Sequence, residues 1–143
     1  MDINKTLVKK TKKSAEWYII NAKNYKLGRL TSKIAYILKN KNSTDYLPYQ
    51  GSNSRIIIIN SKDIKVTGKK EQQKLYKRHS GKPGGLKIET FSKLQKRLPN
   101  KIIEYSLKGM LPKNALGRAV FKQVRIYQDQ EHPHKAQNPI KIT

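Results

Sequence analysis

The spacing of apolar positions predicts alternating strands and helices in the first half of the chain. Trp17 to Ala22 is aromatic and β-branched, which is typical of a strand. The next apolar residues recur at helical spacing: Leu27, Leu30, Ile34, Ile37 and Leu38. After a polar loop from Thr44 to Ser54, Arg55 to Ser61 contains four consecutive isoleucines. This unbroken run predicts a strand buried on both faces, as in the centre of a parallel sheet.

The alternation continues beyond this strand. Asp63 to Thr67 alternates apolar and polar residues, and predicts a short third strand that ends at Gly68. Phe91, Leu94 and Leu98 are spaced for a helix that stops at Pro99.

Pro99 can itself open another helix, because proline costs least at the first helical position. The apolar side of that helix consists of Ile102, Ile103 and Leu107, and Gly109 is its expected terminator. Asn114 is placed to cap one more helix, which carries Leu116, Ala119 and Val120. Val124 to Tyr127 is expected to be the last strand.

This order of elements predicts an α/β fold, with a small, largely parallel sheet and helices on both faces. We expect one domain over residues 17–127, preceded by a basic arm at residues 1–16 and followed by an extended tail at residues 128–143. The arm contains five lysines and few apolar residues, so we expect it to be disordered without a partner and ordered on one. A merely solvated terminus is the alternative.

Charge points to a polyanionic partner. The 143 residues include 32 Lys and Arg against 9 Asp and Glu, a net charge of +23. Such self-repulsion is relieved when the cations neutralise phosphates and release counterions. Nucleic acid is therefore the first candidate and an anionic membrane surface the second. Thirteen of the basic residues and only three acids lie between Lys62 and Lys101.

The glycine-rich segment from His79 to Gly85 is the leading candidate for contact with RNA. Glycines let backbone N–H groups approach phosphates, and Lys77, Arg78 and Lys82 add charge. The segment lacks the spacing of a nucleotide-binding P-loop, and an ordinary flexible loop is the alternative. Tyr76 could stack on a base. The full set of candidate RNA-binding residues is Lys9, Lys10, Lys12, Lys13, Arg29, Lys33, Lys69, Lys70, Lys77, Arg78, His79, Ser80, Gly81, Lys82, Gly84, Gly85, Lys113, Arg118, His132 and His134.

Residues for catalysis or metal binding are scarce. The chain contains no cysteine, which excludes disulfides, thiol nucleophiles and cysteine-based zinc sites. Nine acids give little room for paired-carboxylate chemistry. His132 and His134 form a poor metal site without a third nearby ligand, and histidine donors in a tail docked on RNA fit them better. We therefore predict no catalytic residue, no metal and no cofactor. No small-molecule substrate is expected, and no apolar run is long enough for a membrane helix.

Several short motifs together resemble one family, the bacterial-type large-subunit ribosomal protein thirteen. They cover residues 17 to 139 in the family's order. The motifs are Trp17 to Ala22, Leu27 to Leu30, Ile57 to Asn60, Thr67 to Lys69, Lys74 to Tyr76, His79 to Gly81, Pro83 to Lys87, Lys108 to Lys113, Leu116 to Arg118, His132 to His134, Ala136 to Gln137 and Pro139. A single such motif is weak, whereas the ordered set is specific.

The resemblance implies a three-layer α/β/α fold around a mainly parallel four-stranded sheet. It also implies binding to large-subunit ribosomal RNA, a role early in subunit assembly, contacts with neighbouring ribosomal proteins, and no catalysis. The family's acidic loop before the central strand is replaced by Gly51 to Ser54, and Lys82 stands where an aromatic or polar residue is common. The abundance of Lys, Ile and Asn is similar to algal plastid members, which implies the plastid stroma, with the bacterial cytoplasm as the alternative.

Two other functions remain open at this point. An RNA-processing enzyme would need acids or histidines clustered in a pocket. A basic architectural DNA-binding protein would use arms in the minor groove without these ordered motifs.

Overall fold

A computed structural model of the protein describes residues 15–44 and 46–142. The lysines predicted to form a basic arm lie outside the described residues. Within them, strands and helices follow one another in the order β1 (Trp17–Asn21), α1 (Leu27–Leu38), β2 (Arg55–Ile59), α2 (Lys70–Gln73), β3 (Leu75–His79), β4 (Leu86–Thr90), α3 (Phe91–Arg97), α4 (Pro99–Met110), α5 (Ala115–Phe121), β5 (Val124–Ile126) and β6 (Ile140–Ile142).

Four parallel strands form the main sheet, in the order β5-β2-β1-β6. One face of this sheet carries Ile20, Ile56 and Ile58, which are fully buried against apolar residues of α1 and α4. The steps from β1 to β2 and from β2 to β5 run in the same direction across the sheet. Right-handed connections therefore place the intervening helices on one face, where α1 and α4 pack together.

The opposite face is covered by the chain that returns from β5 to β6. That step crosses the sheet in the other direction, so its connection lies on the other side. The Trp17 ring, on this side, lies 5.1 Å from the ring of His134. The sequence predicts helices on both faces of the sheet. On this second face, residues 128–139 contain a single 3-10 turn, Lys135–Gln137, as their only helical part. The α/β class and the four-stranded parallel sheet are confirmed.

Two helix boundaries follow from the local sequence as predicted. Pro99 occupies the first turn of α4, and the Asn114 side chain accepts a hydrogen bond of 2.8 Å from the Gly117 N–H at the start of α5. Gly109 does not terminate α4, however, since the helix continues to Met110.

The predicted strand from Asp63 to Thr67 is wrong. Asn60 adopts a left-handed conformation with φ 56°, and a 3-10 turn, Ser61–Asp63, follows it. Only a single bridge joins Lys65 to Lys26. Because the Gln95 side chain donates to the carbonyl of Ile64, at 3.2 Å, this backbone is held by a helix instead of a neighbouring strand.

The fourth strand comes from the tail instead. Val124–Ile126 is not the last strand, because Ile140–Ile142 pairs with β1 at the edge of the sheet. The strand has only three residues, and Ile142 is its one partially buried side chain, so the sequence carries almost no strand signal here. These residues form a strand because they pair with β1.

The basic segment from Lys69 to Leu86 is also more regular than expected. It contains the short helix α2 and strand β3, and β3 pairs with β4 in a separate antiparallel hairpin. Only residues 80–85 form a loop between these strands. The alternation in Leu86-Lys87-Ile88-Glu89 was the missed signal for β4.

Candidate nucleic-acid interface

The β3–β4 hairpin, residues 75–90, has no buried side chain. Pairing and alternation place Tyr76, Arg78, Lys87 and Glu89 on the side facing α3 and α4. Leu75, Leu86 and Ile88 lie on the other side and are each at least half exposed. The hairpin is thus attached to the domain near its base and presents both sides of its distal part to solvent.

Tyr76 attaches the hairpin to the helices. Its ring lies 6.5 Å from that of Phe91 and 5.8 Å from that of Tyr105. Its hydroxyl is buried without a hydrogen-bond partner, and this burial raises the pKa of Tyr76 above its ordinary value. The base-stacking role considered for Tyr76 is therefore hindered, since the ring already packs inside the protein.

Basic side chains of the hairpin remain unpaired. Lys77, Arg78, Lys82 and Lys87 are exposed, and none forms an ion pair with a residue that the structure describes. The hairpin's acid, Glu89, accepts two hydrogen bonds of 2.7 Å from Arg97. The acid is neutralised locally, whereas the four cations have no counter-charge within the part of the chain that the structure describes.

The glycine turn differs from the open phosphate cradle that the sequence suggested. The Gly81 N–H donates to Nδ1 of His79 at 2.9 Å, and the Gly85 N–H donates to the Lys82 carbonyl at 2.9 Å. Gly85 is packed so closely that an added Cβ would lie 2.0 Å from Oγ of Ser80. Gly81 and Gly84 have positive φ values of 88° and 71°. The glycines therefore shape the turn, and two of their three N–H groups are already used.

A second basic surface lies beside the start of α1, in a cleft of about 440 Å³ that we call the α1–α2 cleft. Its lining includes Lys70 from the candidate set, together with Lys26, Lys74 and Thr67. Of the two candidates on α1, Arg29 is exposed. Lys33 is partly buried. Its Nζ donates to the Tyr25 hydroxyl at 3.1 Å and lies 5.2 Å from the centroid of the Tyr25 ring.

Lys113 and Arg118 line a third surface, which we call the α4–α5 groove. It has a volume of about 600 Å³ and lies between the end of α4 and one side of α5. Its complete lining is Lys108, Leu111, Pro112, Lys113, Gly117, Arg118, Phe121 and Lys122. Lys108, Lys122 and Phe121 were not predicted from the sequence, because they come together only when α4 packs against α5.

The two candidate histidines of the tail are packed against aromatic residues. Nε2 of His134 and the Tyr127 hydroxyl are 2.9 Å apart and share a hydrogen bond. His132 lies beside the same tyrosine, with 6.4 Å between ring centroids, and its Nδ1 is buried without a hydrogen-bond partner. Both residues help to hold the tail on the sheet, and their placement leaves less of each ring for RNA.

Within residues 15–44 and 46–142, no three His, Asp or Glu side chains are grouped in a way that could hold a metal ion. The helices in the same part of the chain include none that is long and apolar enough to cross a membrane.

Comparison with known proteins agrees with this arrangement. The sequence profile of the family described as ribosomal protein L13 matches residues 15–133. The large ribosomal subunit protein uL13c of Gracilaria tenuistipitata var. liui is 55% identical over 141 residues, which is 99% of this chain and 99% of that protein. The uL13c of Porphyra purpurea is 53% identical, covering 96% of each chain. The uL13 of Prochlorococcus marinus is 52% identical, covering 87% of this chain and 83% of its own length. The chain belongs to the ribosomal protein L13 family.

Proposed function

We propose that this protein is a structural constituent of the large ribosomal subunit, which binds large-subunit ribosomal RNA and supports subunit assembly. The observation that carries the proposal is the β3–β4 hairpin with its unpaired Lys77, Arg78, Lys82 and Lys87. A ribbon of exposed cations without internal partners binds a phosphate backbone with little reorganisation. The names of the relatives, which are large ribosomal subunit proteins, support the same role.

Several surfaces contribute to the proposed interface. The hairpin and its turn form the first, the α1–α2 cleft with Lys70 the second, and the α4–α5 groove with Lys113 and Arg118 the third. Lys69 and Arg29 do not line the cleft, but they are next in sequence to its lining residues Lys70 and Gly28 and add exposed charge there. The lysines of residues 1–14 extend the interface in the proposal, since their charge matches it. Neighbouring ribosomal proteins are the expected protein partners.

The proposed location is the plastid ribosome. The uL13c proteins of Gracilaria and Porphyra align with 99% and 96% of the chain, whereas the Prochlorococcus protein aligns with 87%. Plastids purified from the source cell should contain the protein in their ribosomal fraction. Recovery from the cytoplasm of a bacterial cell would support the bacterial alternative.

We also propose that the protein performs no catalysis. Few acids and no cysteine are available for it. Incubation with ribosomal RNA under multiple-turnover conditions should leave the RNA intact and unmodified. Turnover that is lost in a His79→Ala or His134→Ala variant would refute this part of the proposal.

The hairpin charges provide the main test. Replacing Lys77, Arg78 and Lys82 by Gln should weaken binding to a large-subunit RNA fragment and flatten the salt dependence. The slope of log affinity against log salt should fall by about two to three, because each lost phosphate contact contributes roughly 0.7 to 0.9. Circular dichroism should show an unchanged fold.

A matched control removes the same charge elsewhere. Lys23, Lys41 and Lys96 are exposed, lie outside the hairpin, and line neither the α1–α2 cleft nor the α4–α5 groove. Their replacement by Gln should change the slope by clearly less than the hairpin variant. Equal slopes for the two variants would mean that the RNA senses only net charge, and the assignment of the hairpin would be wrong.

A further inference from the structure

The α4–α5 groove differs chemically from the hairpin, because it combines charge with an apolar floor. Leu111 is 5% exposed and Phe121 is partly buried against the core. Together with the exposed Pro112 they supply the apolar part of the lining, which we call the floor. Both sides of the distal hairpin carry exposed charge, whereas here apolar residues and cations line the same groove.

The shape of the groove is fixed by close backbone packing. A Cβ added to Gly117 would lie 1.9 Å from the carbonyl oxygen of Pro112. The absence of a side chain on Gly117 therefore brings α5 against the connection that follows α4. The Asn114 side chain holds the same turn through its 2.8 Å hydrogen bond with the Gly117 N–H. The backbone that borders the groove is therefore fixed by the fold itself.

Four cations surround the floor. Lys108, Lys113, Arg118 and Lys122 are exposed, the groove lining includes no acid, and none of the four forms an ion pair with another described residue. Nζ of Lys108 lies 4.9 Å from the ring centroid of Phe121. Positive charge is thus present at the ring itself as well as along the edges.

We propose that the α4–α5 groove binds an unpaired RNA nucleotide, with its base on Phe121 and Pro112 and its flanking phosphates on Lys113, Arg118 and Lys122. The proposal rests on the RNA-binding function proposed above and specifies the form of RNA that this surface takes. The volume of about 600 Å³ is in the range of small-ligand pockets and too small for a duplex. Single-stranded RNA is typically bound by this pairing of aromatic platforms with basic edges.

The charge of the groove decides between RNA and a protein segment. An apolar peptide from a neighbouring protein could fill the floor, but it would leave four cations without counter-charges. An RNA strand carries a phosphate on each side of every base, so its phosphates can pair with the cations while the base contacts the apolar floor. Nζ of Lys108 lies over the Phe121 ring, so a stacked base takes its place there, and Lys108, on its flexible side chain, moves to a flanking phosphate.

Two variants separate the base from the phosphates. In Phe121→Leu the groove keeps its apolar bulk and loses its aromatic face. In the triple variant Lys113→Gln, Arg118→Gln and Lys122→Gln the floor is retained. The probe is a short single-stranded RNA with a central 2-aminopurine, compared with the same RNA in a duplex. Thermal melting checks that each variant is folded.

The wild-type protein should quench 2-aminopurine fluorescence in the single strand and not in the duplex. Phe121→Leu should weaken single-strand binding by about five- to tenfold, with an unchanged salt slope, because only stacking is lost. The charge variant should reduce that slope by about two, at roughly 0.7 for each phosphate contact. The control variant of Lys23, Lys41 and Lys96 should show neither effect.

Three outcomes would overturn the inference. Equal binding by Phe121→Leu and wild type, with loss only in the charge variant, would make the groove a phosphate-binding surface without a base. Unchanged binding in both variants would assign the groove to another partner, such as an acidic peptide, while the hairpin variant still tests the proposed function. Equal quenching of single strand and duplex would contradict the preference for unpaired RNA.

Discussion

The parallel sheet and the β3–β4 hairpin are both β-structure, but they are stabilised in opposite ways. In the sheet, Ile57 and Ile58 are consecutive and both fully buried, since each face is covered. In the hairpin, no strand residue is buried, and the paired positions Arg78 and Lys87 carry like charges across the ladder. Like charges directly opposite destabilise a hairpin. This difference indicates that the sheet contributes most of the stability of the fold, whereas the uncompensated charge of the hairpin supports the proposed partner of opposite charge.

Truncation of one isoleucine in each region should give the largest contrast. Ile58→Ala should lower the free energy of unfolding by about 2 to 5 kcal/mol, because it leaves a cavity in a fully buried layer. Ile88→Ala should cost about 0.5 kcal/mol or less, since Ile88 is 50% exposed. Urea unfolding measures both. Similar losses would show that the hairpin belongs to the same core.

Substitution of one glycine in the packed domain and one in the hairpin turn should have different effects on stability. Gly117→Ala should destabilise the whole fold by about 1 to 3 kcal/mol, because the new methyl group meets the Pro112 carbonyl in packed surroundings. Gly81→Ala has open space around it but keeps a φ of 88°, so its strain should be confined to the turn. Amide hydrogen exchange should show faster opening of residues 75–90 with an unchanged melting temperature. A lower global melting temperature in Gly81→Ala would couple the turn to the core.

Removal of positive charge from the hairpin should not lower the free energy of unfolding, in contrast to the substitutions above. The Lys77, Arg78 and Lys82 triple Gln variant should be as stable as wild type or more stable by a few tenths of a kcal/mol at low salt, because self-repulsion falls. The difference should vanish at high salt, where exposed charges are screened. Melting curves at two salt concentrations provide the test. A clear loss of stability at low salt would reveal internal partners of these cations.

Ionisation of two tyrosines should give the smallest effects. The Tyr18 hydroxyl donates a hydrogen bond to the Glu16 carboxylate, which raises the pKa of Tyr18 to about 12, and burial raises the pKa of Tyr76. A raised tyrosine pKa means that the folded state favours the neutral phenol. The stabilisation is present below pH 10 and is lost as pH rises through the folded pKa.

High pH should therefore release the hairpin, through Tyr76, before the sheet unfolds. NMR titration of the tyrosine Cζ signals can follow both residues. Glu16→Gln should lower the pKa of Tyr18 toward its ordinary value of 10.0 and leave that of Tyr76 unchanged. A pKa of Tyr76 at the ordinary tyrosine value would show that its hydroxyl is hydrated and that the hairpin is already detached.

Much of the proposed interface can be predicted from sequence, because charge is a property of composition. The excess of cations between Lys62 and Lys101 indicates this region even though the sequence analysis did not predict the strands of the hairpin. The role of each residue was less accessible. Lys33 and His134 were predicted as donors to RNA, but their side chains bond to Tyr25 and Tyr127. These contacts form only when the chain folds back on itself, so the sequence pattern does not indicate them. Phe121 and Lys108 were missed because the groove between them exists only after α4 and α5 pack.

The sequence by itself determined the elements with strong local signals. Helical periodicity gave α1, the isoleucine run gave β2, and Pro99 and Asn114 marked the starts of α4 and α5, since each signal acts within a few residues. The tertiary structure alone decided the fourth strand. Ile140–Ile142 becomes a strand because β1 offers an unpaired edge, whereas Asp63 to Thr67 has the alternation of a strand but finds no ladder. Strand formation depends on a partner that is remote in sequence, so its outcome is determined by the assembled sheet.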